Sequence, residues 1–487
     1  MSLLKRLGKS SFIYTFSSIL QRGIAFLLLP LYTRHLTPDD YGILAVVTSL
    51  NGFLSVFFML GLQGSMNRFY FDYRDEPEKL KQFWGTILTF ILILTAALGV
   101  FLLVFGDVLL KPAIGDIPFY PFVAIGVATL IFQPFFTIYL ALLQTTEKPK
   151  KYAIFSLTQF VFNLTLIIIL VVFTGWGAKG ALSARLITAV IFFIICLYAL
   201  RKQTKIGINS TYLREALKYS FPLVPHTLAG QISSITDKVF LNTMINTATA
   251  GLYNIGFLFG GIMSIITTAV NRAYVPVYMG VVKSDDSKQL KDLKEIGLLL
   301  VVIYCLLGSA VSLFSKEVII VFTSKAFWES YKVIPIISFN FVANGIYYLL
   351  VNILFYVKSA TKFIAIATVL GAALNVLLNW LLIPEYGLIG AALATLISQI
   401  IGTIFVGFIG KQYEKVNWEY SKFIVLFIVS GVISLLFIWI SFLSWWQLLS
   451  IKFFSFISLI FILSFISWNQ PLYLFWYGKK MLIKLLK

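Results

Sequence analysis

Five cations sit inside stretches that are otherwise apolar enough to cross a bilayer: Arg22, Arg185, Lys238, Arg272 and Lys452. A charge at the middle of such a span costs about 2.5–3.5 kcal/mol on insertion scales, so each needs water, a partner or a ligand. Three of them share a helix face with other polar or small residues. Arg22 lines up with Ser11, Thr15, Ser18 and Ala25. Lys238 shares a stripe with Gln231 and Ser234, beside a second stripe of His226, Gly230, Ser233 and Asp237. Arg272 follows Gly261, Ser264 and Thr268. Guanidinium forks match carboxylate and phosphate oxygens two at a time, so these faces could hold a compact anion in a wet cavity. Asp237 is the one carboxylate clearly inside a span. It could couple H⁺ or Na⁺, or pair with Arg22 or Arg272; its neighbour Lys238 points elsewhere on a helix. Arg68, near the end of the second span, is a further candidate cation. Each feature also has a plainer explanation. Small and hydroxyl residues pack helices together. Asp237 could be a structural ion pair, His226 a helix-start residue, and Lys452 a snorkelling side chain. Arg68 and Arg272 could simply mark cytoplasmic helix ends.

The elements that must position these faces are membrane helices. Of 487 residues, 59% are hydrophobic and 12% charged, where soluble domains are about 25% charged. Apolar segments of spanning length recur at 11–32, 41–62, 83–105, 118–143, 152–173, 178–200, 219–242, 251–280, 296–314, 331–357, 362–383, 387–409, 422–442 and 450–476. Fourteen spans put both termini on one side. Of the 39 Lys and Arg, 28 then fall in loops on the side of the termini, 6 on the opposite side and 5 within spans. That asymmetry places the termini in the cytoplasm and accounts for the net charge of +19 without nucleic acid. The basic N-terminus runs straight into a full-length span and reads as an uncleaved anchor.

No enzyme motif emerges. Gly8-Lys9-Ser10 lacks the upstream glycine of a phosphate-binding loop. His35 and His226 are far apart, so no metal site and no cofactor is expected. Cys196 and Cys305 read as buried apolar residues. Asn209-Ser210-Thr211 has a glycosylation pattern but falls in a cytoplasmic loop.

An internal repeat organises the chain. Gly177-Ala178-Lys179-Gly180-Ala181 matches Gly387-Leu388-Ile389-Gly390-Ala391, 210 positions later. The match continues through Arg185 opposite Thr395, so the fold does not require a charge there. Tyr41-Gly42 and Ala250-Gly251 open spans at nearly the same offset. The predicted fold is all-α and polytopic: two parallel six-helix lobes, 1–210 and 211–420, with two further helices and a basic tail in 421–487. Pro30, Pro222, Pro225 and Pro276 are candidate hinges or helix caps. Gly256 and Gly260 form a small-xxx-small pair suited to packing.

Pro30-Leu31-Tyr32-Thr33-Arg34-His35-Leu36-Thr37-Pro38-Asp39-Asp40-Tyr41-Gly42 resembles the first loop of the polysaccharide-type flippases of the multidrug/oligosaccharidyl-lipid/polysaccharide superfamily. Gly61-Leu62, Arg68-Phe69-Tyr70 and the Gly387/Gly390/Ala391 frame resemble their second and twelfth helices. The resemblance implies V-shaped lobes around a cavity. It implies export of an undecaprenyl-pyrophosphate-linked oligosaccharide to the outer leaflet by alternating access, for surface polysaccharide biosynthesis. Arg22, Arg272, Arg68 and Lys238 would hold the pyrophosphate, Asp237 the coupling ion, and Ser18, His226, Ser233 and Thr268 would line the cavity. A polymerase and glycosyltransferases would be partners in the inner membrane. Lipid II flippase and cation-coupled multidrug antiporter are the nearest alternatives. The first lobe's lack of an intramembrane acid speaks against cationic drugs. The loop at 64–70 lacks the pattern of a major-facilitator transporter, and the external loops are short for a membrane glycosyltransferase, the largest, 315–330, offering only Glu317 and Glu329.

Overall fold

The computed structural model describes residues 26–437 and 445–470, together with 13, 14, 16, 17, 20, 21, 23 and 24. The side chains of residues 226, 233, 234 and 445 are not among those described. Among the described residues the regular structure is helical, with no strand. In chain order the helices are α1 (Leu29–His35), α2 (Pro38–Met59), α3 (Leu62–Tyr73), α4 (Pro77–Leu109), α5 (Ala124–Thr145), α6 (Pro149–Ile167), α7 (Gly177–Leu200), α8 (Ser210–Ser220) and α9 (Val224–Met244). They continue as α10 (Thr247–Gly260), α11 (Ile262–Ser284), α12 (Ser287–Leu313), α13 (Ser315–Phe322), α14 (Ile334–Tyr356), α15 (Thr361–Gly410), α16 (Tyr420–Leu436) and α17 (Trp445–Trp468).

By length and hydropathy 9 helices among the described residues could span a membrane, or 10 when α10 and α11 are taken together. The chain is a multi-pass membrane protein. The lower number than fourteen has physical reasons. Helix α15 runs 50 residues but bends at Gly387, whose φ is +52°. At about 1.5 Å per residue it is far too long for one ~30 Å crossing, so it covers both predicted spans 362–383 and 387–409. Helix α9 is too polar to qualify and α16 is short at 17 residues. The predicted span 251–280 is broken at Gly261 into α10 and α11, bent by about 40°. Part of the first span, 11–32, lies outside the described residues.

Contacts divide the chain into two compact units, Met1–Gly251 with Phe322–Ala326, and Leu252–Val321 with Phe327–Lys487. The lobes 1–210, 211–420 and the tail 421–487 follow a sequence repeat, which is a different kind of division. Helix α9 opens the second repeat by sequence yet belongs to the first contact unit.

Local chemistry sets the helix starts of the first unit. Thr37 and Asp40 form a reciprocal capping box at α2, with Pro38 in the first turn. The other carboxylate oxygen of Asp40 accepts the Ala178 N–H at 2.7 Å, so the same side chain caps α7. Gly177 meets that carboxylate with a φ of +55°, a backbone only glycine takes cheaply. Its counterpart Gly387 has nearly the same φ in the second unit. The next glycine also keeps its role in both repeats: Gly180 lies against the Leu170 carbonyl and Gly390 against the Leu382 carbonyl. At these two glycine positions the sequence match is accompanied by a match of backbone geometry.

In the second unit Gly256 packs on Ser330 and Val333, and Gly260 on Ile337, with no room for a Cβ at either. That bears out the packing role. Pro222 and Pro225 lie in first turns, of a short 3-10 turn (Phe221–Leu223) and of α9, while Pro276 lies inside α11. Pro30 sits in the first turn of α1, beside a break at Leu28. Lys452 does not snorkel. It is buried on α17 and its Nζ donates to both oxygens of Glu317 at 2.8 and 2.9 Å.

Candidate polar cavity of the first unit

Within the first unit, α2, α3, α5, α6 and α7 line a cavity of about 750 Å³. Each helix presents one polar face to it. From α2 come Thr48, Asn51 and Ser55, from the start of α3 Gln63, and from α5 Thr129, Gln133, Thr137 and Gln144. Helix α6 adds Gln159 and Asn163, and α7 adds Arg185. Along α5 alone, Thr129 to Gln144 covers about 22 Å of helix rise, so the cavity is a column along the helices and not a local dent.

Arg185 is half-buried and donates from Nη1 to the Thr48 hydroxyl at 2.6 Å, bridging α7 to α2. Asn51 donates to the Gly126 carbonyl at 3.0 Å. Asn163 accepts from the Thr188 hydroxyl at 3.4 Å. Both bonds cross between helices and fix the orientation of the amide. Pro134 lies inside α5 on the cavity wall, so the Leu130 carbonyl, also in the wall, receives no helical N–H from it. Such a carbonyl is tolerated at membrane depth where it faces a cavity. The rings of Phe136 and Phe192 pack edge to face at 5.6 Å and line the apolar side, with Tyr152 further along. Gln231 of α9 sets its carboxamide against Gly52 in the α2 wall.

The cations predicted from sequence are distributed differently. Arg68 is exposed on α3 and pairs with Asp72 one turn on, at 2.7 Å. Asp237 is buried on α9, and Lys238 beside it is partly buried. Thr268 is partly buried and Arg272 exposed on α11 in the second unit. Arg22 and Ser18 lie outside the described residues, as do the side chains of His226 and Ser233. The carboxamides of α2, α5 and α6 were not singled out from sequence. Their signal is an i, i+3 or i, i+4 recurrence of Asn, Gln and Thr in apolar spans, uncharged and so easily passed over. Arg185 was visible, but its counterpart Thr395 made it look dispensable. In the second unit Thr395 accepts from Asn375 at 3.2 Å, so a polar link between the paired helices exists there without a charge. Among the described residues no cluster of His, Cys, Asp and Glu could hold a metal.

The described residues thus form an all-helical membrane bundle with a cationic, amide-lined cavity inside one unit. The chain belongs to the polysaccharide biosynthesis protein family, whose model matches residues 7–280. It is similar to a Haloferax volcanii protein named probable low-salt glycan biosynthesis flippase, 24% identical over 213 residues, 43% of this chain and 44% of that one. Its fold is that of lipid II flippase MurJ in an inward closed conformation, with a TM-score of 0.72, 19% identity and 94% and 98% of the two chains covered. It is also that of a multidrug resistance MATE family transporter of the MOP superfamily, in an inward-facing conformation, at a TM-score of 0.61, 14% identity and coverage of 80% and 93%. The multidrug/oligosaccharidyl-lipid/polysaccharide fold expected from the first loop and the glycine frame is therefore borne out.

Proposed function

We propose that this chain is a flippase. It would move an oligosaccharide repeat unit, linked to undecaprenyl pyrophosphate, from the cytoplasmic to the outer leaflet by alternating access. The observation that carries this reading is the polar column in the first unit. Side chains such as Arg185, Asn51 and Gln133 are costly inside a membrane unless they serve a hydrophilic passenger or its path. Membership of a polysaccharide biosynthesis family supplies the class of passenger. On this reading Arg22, Arg272, Arg68 and Lys238 are the cations for the pyrophosphate. Asp237 is the group for a coupling H⁺ or Na⁺, with Ser18, His226, Ser233 and Thr268 along the path. The membrane is the cell inner membrane with both termini cytoplasmic, and glycosyltransferases and a polysaccharide polymerase are partners.

Among the described residues the cavity lining carries one arginine and no Asp or Glu, which disfavours a cationic drug as cargo. Deleting the gene in its host should stop surface polysaccharide and trap the lipid-linked unit in the inner leaflet. Arg22→Ala should reproduce the defect in protein that still inserts. Asp237→Asn should remove dependence on the ion gradient. Normal export in the deletion strain would sink the reading. Accumulation of lipid II in place of an oligosaccharide would transfer the cargo to peptidoglycan synthesis.

A further inference from the structure

On the reading of the chain as a lipid-linked glycan flippase, the cavity of the first unit carries information about the sugars themselves. A guanidinium has five N–H donors, and Arg185 gives one of them to Thr48. Among the described residues no Asp or Glu lines the cavity to balance it. A cation held in a low-dielectric site is stabilised by an anion that arrives from outside, and a guanidinium takes a carboxylate in two parallel hydrogen bonds.

An anion alone would not call for the rest of the wall. Asn51 commits its Nδ2 to Gly126 and Asn163 its Oδ1 to Thr188, which leaves an oriented acceptor from one and an oriented donor from the other. Gln133 and Gln159 add carboxamides that can do both at once. Paired donors and acceptors suit vicinal hydroxyls, each of which gives and takes. The partly buried ring of Phe136, backed by Phe192, offers an apolar surface to the C–H side of a pyranose. A volume of about 750 Å³ falls within the range of about 300–1,000 Å³ usual for small-molecule sites.

We infer that this cavity is a saccharide site for an acidic sugar of the transported unit, with the sugar carboxylate on Arg185 and its hydroxyls on Asn51, Gln133 and Asn163. The test is calorimetric titration of the purified full chain in detergent with glucuronate, glucose, acetate and pyrophosphate. Glucuronate should bind saturably and at least ~10-fold more tightly than glucose or acetate. Arg185→Gln should bring glucuronate within about twofold of glucose, and Gln133→Ala should weaken both sugars. Should Arg185→Gln fail to fold, Arg185→Lys keeps a point charge without the fork and should still weaken glucuronate several-fold relative to glucose.

Equal binding of glucuronate and glucose by the unsubstituted chain would overturn the acidic-sugar assignment. Acetate or pyrophosphate binding as tightly as glucuronate would turn the cavity into an anion or headgroup site and overturn the saccharide assignment. An export defect in the deletion strain without glucuronate binding would sink the site and leave the flippase reading intact. Glucuronate binding without an export defect would do the reverse.

Discussion

Gly42 and Gly251 lie against each other's chain segments reciprocally. Gly42 abuts the Thr247 carbonyl, and Gly251 abuts the Pro38 carbonyl. Gly42 to Gly251 and Pro38 to Thr247 are the same step of 209 residues, so equivalent positions of two repeats meet as pairs across a local twofold. A Cβ at either glycine would penetrate the facing carbonyl oxygen. Gly42→Ala and Gly251→Ala should each destabilise the first unit by about 1–3 kcal/mol, the cost of overpacking. Gly64, with open space where a Cβ would stand, should accept Ala within about 0.5 kcal/mol. Thermal melts in detergent report both; equal melts for all three would show that the helix starts separate freely.

Asp40 performs two structural tasks. One oxygen accepts from the Thr37 N–H and hydroxyl at 3.0 and 2.9 Å, the other from Ala178 at 2.7 Å. In the second repeat Asn246, the equivalent of Thr37, is the helix-start acceptor, taking the Thr249 N–H and hydroxyl at 2.8 Å. Asp40→Ala should cost about 1–3 kcal/mol through loss of two caps, and Asp40→Asn, which keeps an acceptor oxygen, clearly less. Denaturation midpoints for the pair check the ranking. A substitution that left stability unchanged and stopped export would assign Asp40 to transport instead.

The helices were legible because apolar runs of spanning length are bounded by charged loops, and the repeat because Gly177/Gly387 and Gly180/Gly390 each meet one backbone demand twice. The break at Gly261 was not legible, since a long apolar stretch reads the same whether straight or bent. The candidate site was half legible. A charge such as Arg185 stands out in an apolar span, whereas Asn51, Gln133 and Asn163 become a site only when three helices bring them together. Lys452 was misread because its partner Glu317 is 135 residues away, in a segment that looked like an exposed loop.

The Lys452–Glu317 pair ties α17 to α13 inside the second unit. Its ammonium is 2% exposed and its carboxylate 12%. Removing one partner of such a pair strands the other charge, so Lys452→Ala should cost about 3–5 kcal/mol. Replacing both with apolar residues of similar size, Lys452→Met with Glu317→Leu, should recover most of that loss. A double-mutant cycle on thermal stability measures the coupling. Additive losses would show that the two side chains act independently.

Glu419 holds the start of α16 between two lysines, Lys294 at 2.9 Å and Lys422 at 2.6 Å. Lys422 also donates to the Ser467 carbonyl at 2.7 Å, which brings the last turn of α17 into the same network. Burial pushes the Glu419 carboxyl up, but the two lysines outweigh it and leave it below the ordinary glutamate value. A carboxylate depressed in the folded state stabilises it wherever the unfolded chain would already be ionised, that is above about pH 4.3. The contribution falls away as the pH drops through that value towards the lower folded one. The melting temperature of the unsubstituted chain should therefore exceed that of Glu419→Gln at neutral pH, and the gap should close on acidification below about pH 4. A gap that stayed constant across the pH range would assign the loss to packing at the start of α16 and not to the ion pairs.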